Sequence, residues 1–390
     1  STVSPDTLEE FEYYLKIKAD FEAEREETAR QLAQIGQAEA GIQEATRIVE
    51  EFLNTDSLTK DQLMGLKSIR QDVLNARGFL LYLDANGITP EIVAQEKEHL
   101  QHSLDFSLNP DFNPRGIVGD HYADASERYY GNNDVAGPDP GHGTSVAGVI
   151  AAERGNGLGI DGIADSVRIM VVRTVPNGDE RDKDVANAIR YAIDNGARIV
   201  NMSFGKDYSP QKAAVDAAVR YAQEKGVLLI HAAGNDGADI DSSANFPSKA
   251  FLNGTGTANN WIEVGASSFA PGPDFVAYWS NYGQEVDVFA PGVAIYSTAP
   301  GQRYRTTQGT SLSAPVVTGV AALIESYYPQ FTATQVRDII LQSAVRYPGE
   351  QVDIPGTGDF QVDFSQLSAS GGVVNAYNAL KRAQEMAAQQ

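Results

Sequence analysis

The sequence predicts an α/β fold of three layers with a mainly parallel sheet, preceded by an N-terminal α-helical arm. Three observations predict it. From about residue 106, apolar runs of strand length alternate with helical stretches, the pattern of a parallel sheet covered on both faces. The first hundred residues carry no such runs. Between Pro5 and Asn54 there is no further proline and the only glycines are Gly36 and Gly41, so a helical stretch is uninterrupted. The chain therefore divides into 1–105, a set of antiparallel helices, and 106–390, the α/β part.

In the arm, Ile35, Ala38, Ile42, Ala45, Val49 and Phe52 follow a 3-4 alternation, which predicts one long helix of about 70 Å at 1.5 Å per residue. Thr59 and Gln62 are spaced as a capping box for a second helix with the stripe Leu63, Leu66, Ile69, Val73 and Leu80. Thr89 and Pro90 in "GITPEI" suit the N-cap and first position of a third. The long helix and the two shorter ones have similar total length, which favours an antiparallel arm serving as spacer or docking surface.

In the second part, strands are predicted at 168–173 (RIMVVR), 197–203 (ARIVNMS), 226–233 (GVLLIHAA), 261–267 (WIEVGAS) and 285–290 (EVDVFA). Helices are predicted at 143–153, 183–195, 210–225 and 311–328. Sites in such sheets lie beyond the carboxyl ends of the strands.

Composition excludes several functions. Thirty Lys and Arg against 52 Asp and Glu leave a net charge of −22, which argues against nucleic acid or an anionic lipid surface as partner. Residues 1–110 hold 21 acids and 10 bases, so the acidity is spread and is not a tail. No apolar run is long enough to span a bilayer. The absence of cysteine removes thiol nucleophiles, disulfides and cysteine-based zinc sites. The first residues, "STVSPDTLEE", have neither a basic nor an apolar stretch, so no signal peptide is read there.

Four fragments bear on chemistry. "GTSLSAP" sets Ser311 at the start of a helix, where unpaired N–H groups and the positive dipole end suit an alkoxide or oxyanion; Ser311 also reads as a capping serine. "GHGTSVAGVIAA" sets His142 at the start of another small-residue helix, as a capping or packing residue or as a base approached closely across two glycines. "AAGNDG" follows a strand, so Asn235 is a turn residue or a donor to a developing negative oxygen. "NMSFG" offers Ser203, Phe204 and Gly205 as an extended edge for a peptide main chain.

Taken together and in this order, HGTxVAG, SFG after a strand, AAGN after a strand and GTSxSAP resemble the subtilisin-like serine proteases. The resemblance covers roughly 115–345, and "SGGVVNAYNAL" (370–380) resembles the closing segment of some bacterial members. It implies a serine-type endopeptidase working through an acyl-enzyme. Ser311 would be the nucleophile, His142 the general base, and Asn235 with the Ser311 N–H the oxyanion hole; this mechanism is the family's own. Ser203, Phe204, Gly205 and Gly234 would bind the substrate. Ser313 competes with Ser311, but only Ser311 directly follows the Gly-Thr pair. Leu312 stands where many relatives have methionine, Ser145 where they often repeat histidine, and Thr318 where a smaller residue is usual.

One departure concerns the acid. No apolar strand followed by Asp-Ser-Gly or Asp-Thr-Gly precedes His142. Asp120 ends "RGIVGD", a string similar to the family's edge strand, and Asp134 and Asp139 sit in a loop of turn formers. Some bacterial members carry a helical insertion between the aspartate's strand and the HGT segment, and residues 1–105 resemble it. The expectation is that Ser1 lies inside that insertion's leading loop, and that an N-terminal fragment or propeptide supplies the missing strand. The alternative is a pseudoprotease or peptide-binding scaffold without turnover.

The resemblance also implies peptide or protein substrates and a secreted, periplasmic or cell-surface location. No cofactor is required. A structural calcium ion is expected only by likeness of "RGNGLGI" to a loop that would bind it through Asn156, Leu158 and Ile160. Asp236, beside Asn235, would bias the pocket toward basic side chains if it faces the groove.

Overall fold

The computed structural model describes residues 8–85, 88–176, 180–358 and 360–389. Two compact units divide the chain, Ser1–Gly116 with Pro176–Asp179, and Ile117–Val175 with Glu180–Gln390. The boundary thus falls later than the composition change at 105/106.

In the first unit the predicted long helix is α1 (Leu8–Leu53); its predicted start at Pro5 lies outside the described residues. Its buried stripe begins late. Ile42, Ala45 and Val49 pack with Leu63, Leu66, Val73, Leu83 and Val93, whereas residues 11–27 of α1 contribute no buried side chain. The arm is therefore not matched helix against helix along its whole length. The physical reason is composition, since "ADFEAEREETAR" is mostly charged and lacks the aliphatic 3-4 stripe.

The second predicted helix is two, α2 (Lys60–Gly65) and α3 (Gln71–Ala85). The Thr59–Gln62 capping box starts α2 as expected, but Leu66 is extended (φ −63°, ψ 124°), and Ile69 is fully exposed instead of joining the stripe. Ser68 Oγ accepts the Arg70 N–H (3.0 Å), a local bond that competes with helix continuation. Helix α4 (Pro90–His102) starts as predicted, with Thr89 Oγ1 accepting the Ile92 N–H at 3.3 Å.

The boundary between the units falls within α5 (Arg115–Val118), and the second unit contains α6 (Gly141–Ala151), α7 (Asp182–Asp194), β1 (Ile199–Met202), α8 (Lys212–Lys225), β2 (Leu228–Ala232), β3 (Trp261–Ser267) and β4 (Val288–Pro291). A hairpin, β5 (Ile295–Ala299) and β6 (Arg303–Thr307), precedes α9 (Thr310–Tyr327) and α10 (Ala333–Ser343). The chain closes through β7 (Val345–Arg346), β8 (Gln351–Asp353), β9 (Gln361–Asp363), β10 (Gly372–Val373) and α11 (Ala376–Ala387).

The main sheet runs β1-β2-β3-β4-β10-β7, parallel except for β7. Alternate residues of each strand serve opposite layers. Leu228, Ile230 and Ala232 pack with Val317, Val320 and Ile324 of α9 and Val336 and Ile340 of α10. Leu229 and Trp261 pack with Ile189 of α7 and Val219 of α8 on the other face. These are the three layers the alternating pattern predicts.

Ile230 is fully buried at the centre of one face. Ile230→Ala is expected to lower unfolding stability by about 2–5 kcal/mol through lost burial and an unfilled cavity; the urea midpoint at unchanged m-value checks it.

Two sequence expectations fail between residues 115 and 173. The run 168–173 forms no strand, and its Ile169, Met170 and Val171 are 44%, 41% and 51% exposed. "RGIVGD" holds a helical turn, α5, in place of an edge strand. A strand requires a hydrogen-bonding neighbour, and among the described residues none pairs with 168–173. Strand β1 accordingly stands at the sheet's edge, with Ile199, Val200 and Asn201 only half-buried.

Candidate active site

Helix α9 begins at a backbone that only glycine adopts readily: its N-cap, Gly309, has φ 141° and ψ 156°. Pro315 lies inside the helix and has no N–H, so the carbonyl four residues earlier, that of Ser311, loses its helical donor. Ser203 Oγ–H supplies the bond instead, at 2.8 Å. The proline thus ties the first turn of α9 to the chain leaving β1. Asn201 Nδ2 donates to Ser203 Oγ (2.8 Å) and Thr318 Oγ1 donates to Asn201 Oδ1 (2.9 Å), so the larger residue at 318 is put to use.

Ser311 is half-buried, and its hydroxyl donates to the Ser203 carbonyl at 3.3 Å. Ser313 is fully buried with its Oγ unpartnered among the described residues, which withdraws it from any substrate.

Asn235 stands just beyond β2. Its Oδ1 accepts the Thr310 N–H (2.9 Å) and the Thr310 hydroxyl (3.0 Å), so the oxygen is committed and the Nδ2 donors are directed elsewhere. A Cβ placed on Gly309 would lie 3.7 Å from Ser311 N and 3.8 Å from both Nδ2 and Oδ1 of Asn235. One small region of space is therefore shared by a helix N-terminal amide and a side-chain amide, the arrangement that stabilises an oxyanion.

The loop carrying Asn235 is held by a residue that the sequence reading did not single out. Asn281, 3% exposed, accepts the N–H groups of Asp236 (3.0 Å) and Ala238 (2.9 Å) and donates to the Ala233 carbonyl (2.8 Å). Any side chain at Gly234 (φ 102°) would collide with it, the Cβ lying 2.3 Å from Asn281 Nδ2. "WSNYG" reads as an ordinary turn, so only the folded chain reveals this clamp. Asp236 is exposed, with Oδ2 3.3 Å from Asn281 Nδ2.

His142 is the second residue of α6, which packs against α9. Helix α6 is fastened to the β5–β6 hairpin by Ser145, whose Oγ donates to the Thr298 carbonyl (3.0 Å), and by Ser297 and Thr298, whose hydroxyls donate to the carbonyls of Ser145 and Thr144 (2.7 Å each). The imidazole is open to solvent on one side yet densely surrounded by protein. Desolvation, and then the Arg305 charge, hold its pKa below the ordinary 6.5, while Asp139 opposes them. Among the described residues no hydrogen bond joins His142 to Ser311 or to a carboxylate.

The acids near this region are engaged elsewhere. The Asp120 side chain is fully buried and pairs with Lys183 Nζ at 2.7 Å. Asp134 accepts the Ala136 and Gly137 N–H groups and pairs with Arg173. Asp139 Oδ1 accepts the Gly141 N–H at 2.8 Å, at the start of α6.

Ser203 is buried, Phe204 half-buried and Gly205 exposed, so this segment leaves the sheet toward the surface beside Ser311. In the 154–161 loop, Asn156 Oδ1 already accepts the Leu158 N–H (2.8 Å) and Asp161 Oδ1 the Gly155 N–H (2.9 Å). No group of three His, Asp or Glu side chains placed to hold a metal ion occurs among the described residues. Asn156, Leu158 and Ile160 do not by themselves fit the six to eight oxygens calcium takes.

The sequence model described as "Subtilase family" matches residues 103–377. The chain belongs to the subtilase family. It is 36% identical to a thermophilic serine proteinase of Bacillus sp. (strain AK1) over 75% of this chain and 63% of that protein. It is also 36% identical to thermitase of Thermoactinomyces vulgaris over 62% of this chain and 75% of that one. The match to subtilisin of Bacillus pumilus, again 36%, covers 62% and 81%. A solved cold adapted subtilisin-like serine proteinase shares 28% identity over 60% of this chain and 72% of its own, at TM-score 0.46. This subtilase spans less than two thirds of the length of the Bacillus AK1 relative. No described helix is long and apolar enough to cross a membrane.

Proposed function

We propose that this subtilase is a serine endopeptidase acting on peptide or protein substrates, and that its histidine receives a carboxylate from a strand added at the open edge of β1. Ser311 Oγ attacks the scissile carbonyl, His142 takes its proton and returns it to the leaving amine, and the tetrahedral oxyanion is held by Asn235 Nδ2 and the Ser311 N–H. The observation that carries this reading is the space beside Gly309 that Ser311 N and the Asn235 side-chain amide share.

The proposal of an added strand rests on β1 being an edge and on the exposed apolar run Ile169–Val171, which finds no ladder of its own among the described residues. An N-terminal fragment or propeptide supplying an extended segment would pair that edge and bring the acid with it. Secretion or a cell-surface location is proposed with it, in keeping with the bacterial relatives.

A second reading, a pseudoprotease or peptide-binding scaffold, is favoured by one observation: the Ser311 hydroxyl is directed to the Ser203 carbonyl and not to His142. An alkyl fluorophosphonate, applied with and without the aspartate-bearing strand and with Ser311→Ala as control, separates the two. Absence of Ser311-dependent labelling in every arm would establish the scaffold.

Asn235→Ala is expected to lower turnover by about 10²–10³-fold with little change in KM, the scale known for this donor in subtilisin; steady-state kinetics on a peptide anilide check it. His142 acts as a base only when neutral, and its pKa is lowered. Labelling without the strand should therefore reach half its maximum below pH 6.5. Arg305→Gln removes a cation and shifts that limb upward, as does supplying the aspartate, because either change favours the imidazolium. A pH profile of the labelling rate measures both shifts.

A further inference from the structure

Beneath the 203–205 segment lies a polar pair in an otherwise apolar layer. His231 of β2 is fully buried between Ile230 and Ala232, and in register beside it on β3 is Glu263, 4% exposed. Its Nδ1 meets Glu263 Oε1 at 2.8 Å and its Nε2 meets the Phe204 carbonyl at 2.7 Å. A carbonyl only accepts, so Nε2 carries a proton, and the bond to Glu263 needs one more proton between imidazole and carboxyl. Glu263 is itself oriented: Oε2 accepts the Trp261 Nε1–H (2.8 Å), and Asn245 Nδ2 approaches Oε1 at 3.3 Å.

A leucine or valine at 231 would suit the other residues of β2 and avoid the desolvation of a buried ionisable pair. What the pair gains for the fold is a grip on one carbonyl. Along the same short stretch, the Ser203 carbonyl accepts the Ser311 hydroxyl and the Phe204 carbonyl accepts His231. Two consecutive carbonyls are tied, one at the nucleophile and one in the core. Asn245 Oδ1 packs close against Gly205, where a Cβ would lie 2.5 Å from it.

We infer that His231 and Glu263 are a positioning pair, holding the Phe204 carbonyl from inside the sheet so that residues 203–205 stay extended for a substrate main chain. The inference rests on the reading of that segment as the substrate edge. It predicts that the pair governs capture of extended peptides and not the reactivity of Ser311 itself.

The test uses two variants of the full chain that share Glu263→Gln, so that no unpaired charge stays buried and Trp261 keeps an acceptor: one with His231→Gln, which retains an N–H for Phe204, and one with His231→Leu. Labelling by a small alkyl fluorophosphonate is compared with labelling by tetra-alanine diphenyl phosphonate, which must occupy the edge. The leucine variant should lose about tenfold or more with the peptidyl probe, the scale of a charge-assisted hydrogen bond, and change little with the small one. The glutamine variant should recover most of the loss. Amide exchange at 203–206 should accelerate about tenfold or more in the leucine variant alone. Equal behaviour of the two variants, equal slowing of both probes, or faster exchange throughout the sheet overturns the inference. If neither probe labels the parent protein, the protease reading fails while the exchange comparison still decides the role of His231.

Discussion

Ser311→Ala is expected to abolish fluorophosphonate labelling and to lower peptide turnover by about 10⁶-fold in the strand-supplied protein, the magnitude known for the nucleophile of subtilisin. The thermal midpoint should barely move. The Ser311 side chain makes one long hydrogen bond, at 3.3 Å, while the contact that fastens the helix start uses its backbone carbonyl. Ser313→Ala should show the reverse, because its hydroxyl is buried without a partner among the described residues and its removal leaves labelling intact. Active-site titration and a thermal melt of both variants check this. Labelling that survives Ser311→Ala would place the reactive group elsewhere.

The second large effect concerns the acid. An extended peptide with an apolar run ending in Asp-Ser-Gly, added to the purified chain, is expected to raise turnover by about 10⁴-fold over the same peptide carrying asparagine. That is the acid's contribution in known serine-protease triads, subtilisin among them. Both peptides offer the same backbone to the sheet edge, so both should protect amides of β1 from exchange and reduce the exposure of Ile169–Val171. Asparagine can keep the imidazole in place, but only the carboxylate holds the working tautomer and stabilises its charged form. Equal rates with the two peptides would show that the triad is completed by other means or not at all. Asp120 is a poor substitute, since its side chain is fully buried and paired with Lys183 at 2.7 Å.

Helices were the most legible part of the fold. The starts of α6, α7, α8 and α9 fall within two residues of those expected, because helical periodicity and caps are written in neighbouring residues. The break between α2 and α3 was hidden by an apolar stripe that continues through Ile69 in sequence but not in space. The run 168–173 has the composition of a strand and is not one, because a strand's hydrogen bonds are made with another segment and propensity alone cannot provide it. At the site, His142, Asn235 and Ser311 stood out through their motifs. Asn281 and the His231–Glu263 pair did not, as each acts on residues tens of positions away.

By itself, the sequence determined the family, the helical arm, the parallel α/β layering and which three side chains are candidates for the chemistry, since all of these follow from local spacing and residue type. The tertiary structure alone decided that Pro315 frees a carbonyl for Ser203, that the Asn235 side-chain amide is fastened to Thr310 at the start of α9, and that β1 is left as an edge. Hydrogen bonds between distant segments make those choices. Their partners are brought within 3 Å only by the packing of the sheet, which no local pattern records.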